Sequence, residues 1–86
     1  MTTFTNRKTS ESAEFEVDVE AADGVATANG PGAARLFDLL TKWAGPDGVA
    51  AADFDMVHAG VAYHRCGVAG VLGPRGLTID YMESGE

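Results

Sequence analysis

Hydrophobic and acidic residues alternate without a break along Glu14-Phe15-Glu16-Val17-Asp18-Val19-Glu20. This is the period-2 pattern of a half-buried strand. Phe15, Val17 and Val19 would face a core, and Glu14, Glu16, Asp18 and Glu20 would line the other face, with same-face neighbours roughly 6.6–6.8 Å apart. Ala21-Ala22-Asp23-Gly24 follows, its Asp-Gly dipeptide suited to a hairpin turn, and Val25-Ala26-Thr27-Ala28 reads as the returning strand. The pattern predicts an antiparallel hairpin over 14–28.

The period then changes. Gly30-Pro31 sets a helix start, and Leu36, Phe37, Leu39, Leu40 and Trp43 make one broad apolar face. Asp38 and Lys42 form an i, i+4 pair on the polar side, and Gly45-Pro46 ends the helix, predicted over 31–44. Residues 49–65 admit two readings. As a helix, the preferred one, they carry Phe54, Val57 and Val61 on one face and Met56 and Tyr63 on another, weakened by Gly60. As a strand from Met56, the set Val57, Ala59, Val61 and Tyr63 alternates. Val68–Leu72, Gly73-Pro74-Arg75-Gly76 and Leu77–Met82 read as strand, turn and strand, with Leu77, Ile79 and Tyr81 inward. Glu83–Glu86 is a short acidic tail. Residues 1–12 hold one large apolar side chain beyond the initiator, Phe4, and read as a frayed terminus or a weak edge strand near Thr2–Asn6. The expected fold is α+β: a small antiparallel β-sheet with one or two helices packed on one face.

Eighty-six residues make a single small domain, 1–86. Fourteen alanines against seven aromatics leave the core thin, and a homodimer or a stable partner would relieve that shortage. Thirteen acids against six bases give a net charge of −7. Nucleic acid and anionic membrane repel such a surface, so the expected partners are basic proteins or ribonucleoprotein complexes. Cys66 stands alone, which rules out an internal disulfide framework. With no apolar run near the ~20 residues of a membrane span and a polar start, the expected setting is cytoplasmic, that of the host cell if a phage encodes the chain.

Candidate chemistry is sparse. His58, His64 and Cys66 are zinc-binding residue types, but His-x5-His-x-Cys matches no common structural site. A Cys66 nucleophile with His64 would need a cationic surrounding that this acidic chain lacks. Asp53 and Asp55, or any two of the strand carboxylates, could form a general acid/base pair, but that role needs a carboxyl in an apolar pocket, which evenly spaced acids on a solvated strand face do not resemble and a chain this short hardly encloses. Gly67, Gly70, Gly73 and Gly76 recur every third residue without the patterns that cradle phosphates, and are read as structural. A helix-turn-helix over 31–44 and 49–65 would carry Asp53 and Asp55 toward phosphates, which disfavours direct DNA binding. The chain is therefore read as non-enzymatic, with no metal and no cofactor.

The acidic strand is the remaining clue. Duplex DNA places a phosphate every ~3.4 Å of axis per strand, so carboxylates at twice that rise would meet every second phosphate-binding Lys or Arg. Asp23 would extend the row, and Arg7 and Lys8 would fold back onto it if its role were only internal. The opening Met1-Thr2-Thr3-Phe4-Thr5, then Thr9, Phe15-Glu16 and Val19-Glu20-Ala21, resembles a small phage-borne anti-CRISPR family that acts on type I surveillance complexes. The resemblance spans roughly the first 21 residues. It implies a short, acidic, mixed α/β protein that blocks target DNA binding by charge mimicry, with Glu16 and Glu20 contacting basic residues of the complex. The alternative function is a structural, assembly or antidote subunit that binds through the helix face around Phe37, Leu40 and Trp43, or through strand edges.

Overall fold

The computed structural model describes residues 1–70 and 72–82. Seven strands, β1 (Thr2–Asn6), β2 (Ser12–Phe15), β3 (Asp18–Ala22), β4 (Val25–Asn29), β5 (Phe54–His58), β6 (Val61–Val68) and β7 (Leu77–Met82), pair antiparallel in the order β2-β1-β5-β6-β7-β4-β3. Among the described residues one α-helix, α1 (Ala33–Ala44), packs against this sheet, so the chain is α+β as the pattern predicts.

The strand order dictates the curvature. β2 and β3 stand at opposite ends of the order, yet only Glu16 and Val17 separate them in sequence. Laid flat, six gaps of about 4.8 Å would hold those edges roughly 29 Å apart. Three residue steps, Phe15 to Asp18, reach at most about 11 Å. The sheet therefore curls until the end of β2 comes within reach of the start of β3, the two edges staying unpaired along their length among the described residues, and side chains on its concave face make the core. Two corners achieve this, as where strands switch between packed sheets. At the first, the Val17 N–H donates to the Phe15 carbonyl at 3.0 Å, breaking the strand between Phe15 and Asp18. The second is a bulge in β6, where the register to both neighbours slips near Arg65, a non-glycine residue with φ of 55°.

Phe4, Leu36, Leu40, Phe54, Met56, Leu77 and Ile79 are fully buried inside this curl. The Phe4 ring lies 5.9 Å from Phe15 and 5.8 Å from Phe54, centroid to centroid. From α1, Leu36 and Leu40 enter the core completely, while Phe37 and Trp43 pack at its margin.

Four sequence readings need correction. The continuous strand 14–20 is two strands, because Val17 is drawn into the core at the first corner. Its alternation survives the break, since Phe15, Val17 and Val19 pack inward and the carboxylates point out. The hairpin accordingly starts at Asp18, with Asp23 (φ 56°) and Gly24 (φ 84°) both left-handed, as a type I′ turn demands. Residues 1–12 do not begin as a frayed end or an edge: β1 is an inner strand between β2 and β5, with Thr2, Phe4 and Asn6 buried. The helix read over 49–65 is absent; two 3₁₀ turns (Gly45–Asp47 and Val49–Ala51) lead into the β5–β6 hairpin. Ala59 (φ 51°) and Gly60 (φ 81°) supply its I′ turn. Phe54 and Met56 face inward there, and Val57 and Val61 outward, which is the reverse of the face the strand alternative gave Val57. The strand after Gly76 falls where predicted, but the one expected over Val68–Leu72 does not form there, since β6 already ends at Val68; Val71 and the tail 83–86 lie outside the described residues.

Candidate acidic interface

Glu14, Glu16, Asp18, Glu20 and Asp23 are all exposed. None forms an ion pair with another described residue. They do not form one straight comb. Glu14 lies on β2 opposite Thr3, Glu16 occupies the corner, Asp18 and Glu20 share the outer face of β3, and Asp23 caps the hairpin. The regular spacing of roughly 6.6–6.8 Å therefore holds for Asp18 and Glu20.

Register places polar neighbours beside that pair. Glu20 stands opposite Thr27 and Thr27 opposite Thr78, while Asp18 stands opposite Asn29. These side chains floor an open hollow of about 700 Å³ closed at one end by Pro74, Arg75 and Gly76. The hollow is rich in acceptors (two carboxylates, two hydroxyls and an amide), and Arg75 is its one cation among the described residues. Such a lining suits an ammonium or guanidinium group better than an anion. Thr27, Asn29, Thr78 and Arg75 escaped the sequence reading, although Thr27 and Asn29 alternate with the buried Ala26 and Ala28 and so declare an outer face. A second hollow of about 430 Å³ sets Glu14 and Glu16 near Arg35 at the start of α1.

Arg7 pairs elsewhere than expected: its Nε lies 3.3 Å from Asp53 and its Nη1 donates to Asp55 at 3.1 Å. The Asp55 carboxylate also accepts the Arg65 N–H at 3.1 Å and faces His64 Nδ1 at 3.7 Å. Asp55 thus satisfies the backbone donor that the β6 bulge orphans. Partial burial pushes its carboxyl up, but the Arg65 amide, the Arg7 guanidinium and the His64 charge together outweigh that and hold it below the usual value. Because the folded value is depressed, Asp55 stabilises the fold above the unfolded carboxyl's ~3.9, and the contribution fades as pH falls through the lower folded value. We expect Asp55→Ala to cost about 1–2 kcal/mol near neutrality, the worth of a hydrogen bond to a charged, part-exposed acceptor. Urea denaturation should show wild type and variant converging as pH falls through the depressed folded value; a gap that persists undiminished in acid would remove the charge from the account.

The histidines and the thiol do not combine. The Thr2 hydroxyl spends its one proton on the Val17 carbonyl at 2.9 Å, so His58 Nδ1, 2.7 Å away, is the donor to Thr2. That bond ties β5 and β1 to the first corner. His64 is exposed on the far side of the bulge. Burial, followed by the charges of Asp55, Asp80 and Asp53, pushes the Cys66 thiol up to about 12, so it carries no thiolate near neutrality. No group of three His, Cys, Asp or Glu converges on a point among the described residues. The apolar helix face is consumed internally: Leu40 is fully buried, and Phe37 and Trp43 pack against the core. None of the described helices is long and apolar enough to cross a membrane. The chain matches no family model, curated protein or solved structure with which it was compared.

Proposed function

We propose that the protein is a non-enzymatic acidic inhibitor that seats its carboxylate surface in the basic nucleic-acid groove of a larger complex. One observation carries the reading: five exposed carboxylates, Glu14, Glu16, Asp18, Glu20 and Asp23, have no ion-pair partner among the described residues, in a chain of net charge −7. A carboxylate with an internal partner already has its charge compensated. One without such a partner keeps its full field for an incoming Lys or Arg, and that field also steers encounter. Asp18 and Glu20 form the centre of the surface, because they share a stiff strand face beside an acceptor-lined hollow.

The resemblance of the first 21 residues supplies the specific target, a type I CRISPR surveillance complex, whose DNA binding the protein would block by charge mimicry. The test is competition. The purified complex is offered labelled target duplex with increasing amounts of this protein at low and at moderate salt. The proposal expects loss of DNA binding that added salt relieves, and that Asp18→Lys/Glu20→Lys weakens by about a hundredfold, two rim charges reversed. Undiminished DNA binding at every ratio would remove this complex as the target. Inhibition indifferent to salt and to the reversal would remove charge mimicry.

A further inference from the structure

The proposed function concerns side-chain charge, but β3 offers a second recognition element in its backbone. β3 ends the strand order, and β4 is the strand it pairs with. In a hairpin closed by a two-residue I′ turn, the residues flanking the turn exchange both hydrogen bonds, and such pairs alternate along the ladder. Ala22–Val25, Glu20–Thr27 and Asp18–Asn29 are therefore the bonded pairs. Val19 and Ala21 stand opposite Ala28 and Ala26 in the non-bonded positions, so their N–H and C=O groups point away from β4, along the open edge. Glu20 and Ala22 beside them are exposed, as is Ala21 itself. The other terminal strand, β2, is less open, since the Gly30–Gly32 turn closes on its end through the Gly32 N–H to Glu16 carbonyl bond of 3.0 Å.

We infer that the open edge of β3 adds a strand from a partner, and that this strand is a basic one with Lys or Arg at alternate positions. The inference rests on the reading of the acidic surface as a binding surface and specifies how it is engaged. Strand addition uses backbone bonds for affinity and alternate side chains for selection. An incoming strand bonded to Val19 and Ala21 would set every second side chain on the outer face, beside Asp18 and Glu20. Cross-strand side chains there approach within roughly 4.5–5.5 Å, close enough for an ammonium or guanidinium to reach a carboxylate. Charge also disfavours the simplest rival, a second copy of this chain paired about Glu20. Antiparallel pairing of two β3 edges about Glu20 would set Glu20 against Glu20, and like charges directly opposite repel.

The test uses a fluorescent peptide of roughly eight residues alternating Lys and Val, about the length of a typical strand. Its companion carries N-methyl groups on the backbone amides of one edge, which keeps the charge and deletes the donors, and a third version methylates the other edge. Anisotropy at low salt should show one methylated form binding about fivefold to tenfold more weakly than the parent, the loss of one or two backbone hydrogen bonds. Because this change is made in the peptide, it leaves the folding of the protein untouched. On the protein side, amide exchange at Val19 and Ala21 should be fast in the free chain, slow at Glu20 and Ala22, and should slow at Val19 and Ala21 when the parent peptide is added. Equal binding of all three peptides, weakened only by Glu20→Lys, would overturn strand addition and leave the acidic surface standing. Binding sensitive to methylation but indifferent to Glu20→Lys would overturn the basic partner. No binding of the parent at low salt would overturn the inference outright, while inhibition of the surveillance complex would remain a separate readout.

Discussion

Replacing Phe4 by alanine is expected to cost about 3–5 kcal/mol, the usual range for emptying a fully buried aromatic site. A chain of this length holds roughly 4–13 kcal/mol in all, so the loss would unfold a chain at the low end of that range and lower the denaturation midpoint of one at the high end. Phe4 has no exposed surface, and its ring meets Phe15 and Phe54 from the strands on either side. Urea denaturation of Phe4→Leu, which keeps most of the volume, supplies a measurable midpoint should the alanine variant not fold. Lys8→Ala, exposed in the loop just after β1, is the control and should change little. A loss under about 1 kcal/mol at Phe4 would return the first six residues to the status of a loose end.

Phe4 also shows why the start of the chain was hard to read. A strand buried on one face normally announces itself with alternating large apolar residues. Here Thr2 and Asn6 share the inner face with Phe4, and their polarity conceals it. Thr2 is acceptable inside because it donates to the Val17 carbonyl and accepts from His58; those partners lie 15 and 56 residues away and are invisible to local pattern. Asn6 uses its side chain to hold the Lys8 N–H at 2.8 Å, shaping the following turn. The hairpin 54–68 misled for another reason. Alanine-rich spacing fits a helix, but the Ala59-Gly60 dipeptide is a hairpin turn, and Ala at positive φ is a choice that local preference disfavours. By contrast, α1 and the Asp23-Gly24 turn were legible because one strong local signal, an apolar stripe or an Asp-Gly pair, agreed with the tertiary outcome. The acidic face was legible as a set of exposed residues but not as a shape. The corner at Glu16–Val17 exists because the sheet curls, and the curl follows from strand order rather than from any stretch of sequence.

The same limit applies to the glycines recurring at every third position from Gly67 to Gly76, whose equal spacing hides unequal roles. Gly76→Ala is the second large effect we expect, about 3 kcal/mol or more from left-handed strain and a forced backbone shift together. Gly76 has φ of 107°, and a Cβ there would overlap the Ala28 carbonyl oxygen and sit 2.9 Å from both the Ala28 carbonyl carbon and the Asn29 Cα. These are backbone atoms of β4, which cannot swing aside as a side chain does. Relief requires moving β4 from β7, where Ala28 pairs with Leu77 at the very next residue. Gly67 is gentler, since its new Cβ would press at 2.9 Å on the Asp80 Oδ1, the far end of a side chain that can turn away. Gly70 meets nothing within 4 Å and lies outside the left-handed region, so Gly70→Ala should be neutral or stabilise by about 0.4–1 kcal/mol by restricting the unfolded chain. Chemical denaturation of the three variants should therefore rank Gly76→Ala far below Gly67→Ala, with Gly70→Ala highest. Equal losses at all three would indicate a repeated requirement, such as a backbone cradle for a ligand. The expected ranking instead locates the need for glycine at one point, where the turn before β7 passes over β4 and closes the end of the hollow beside Asp18 and Glu20.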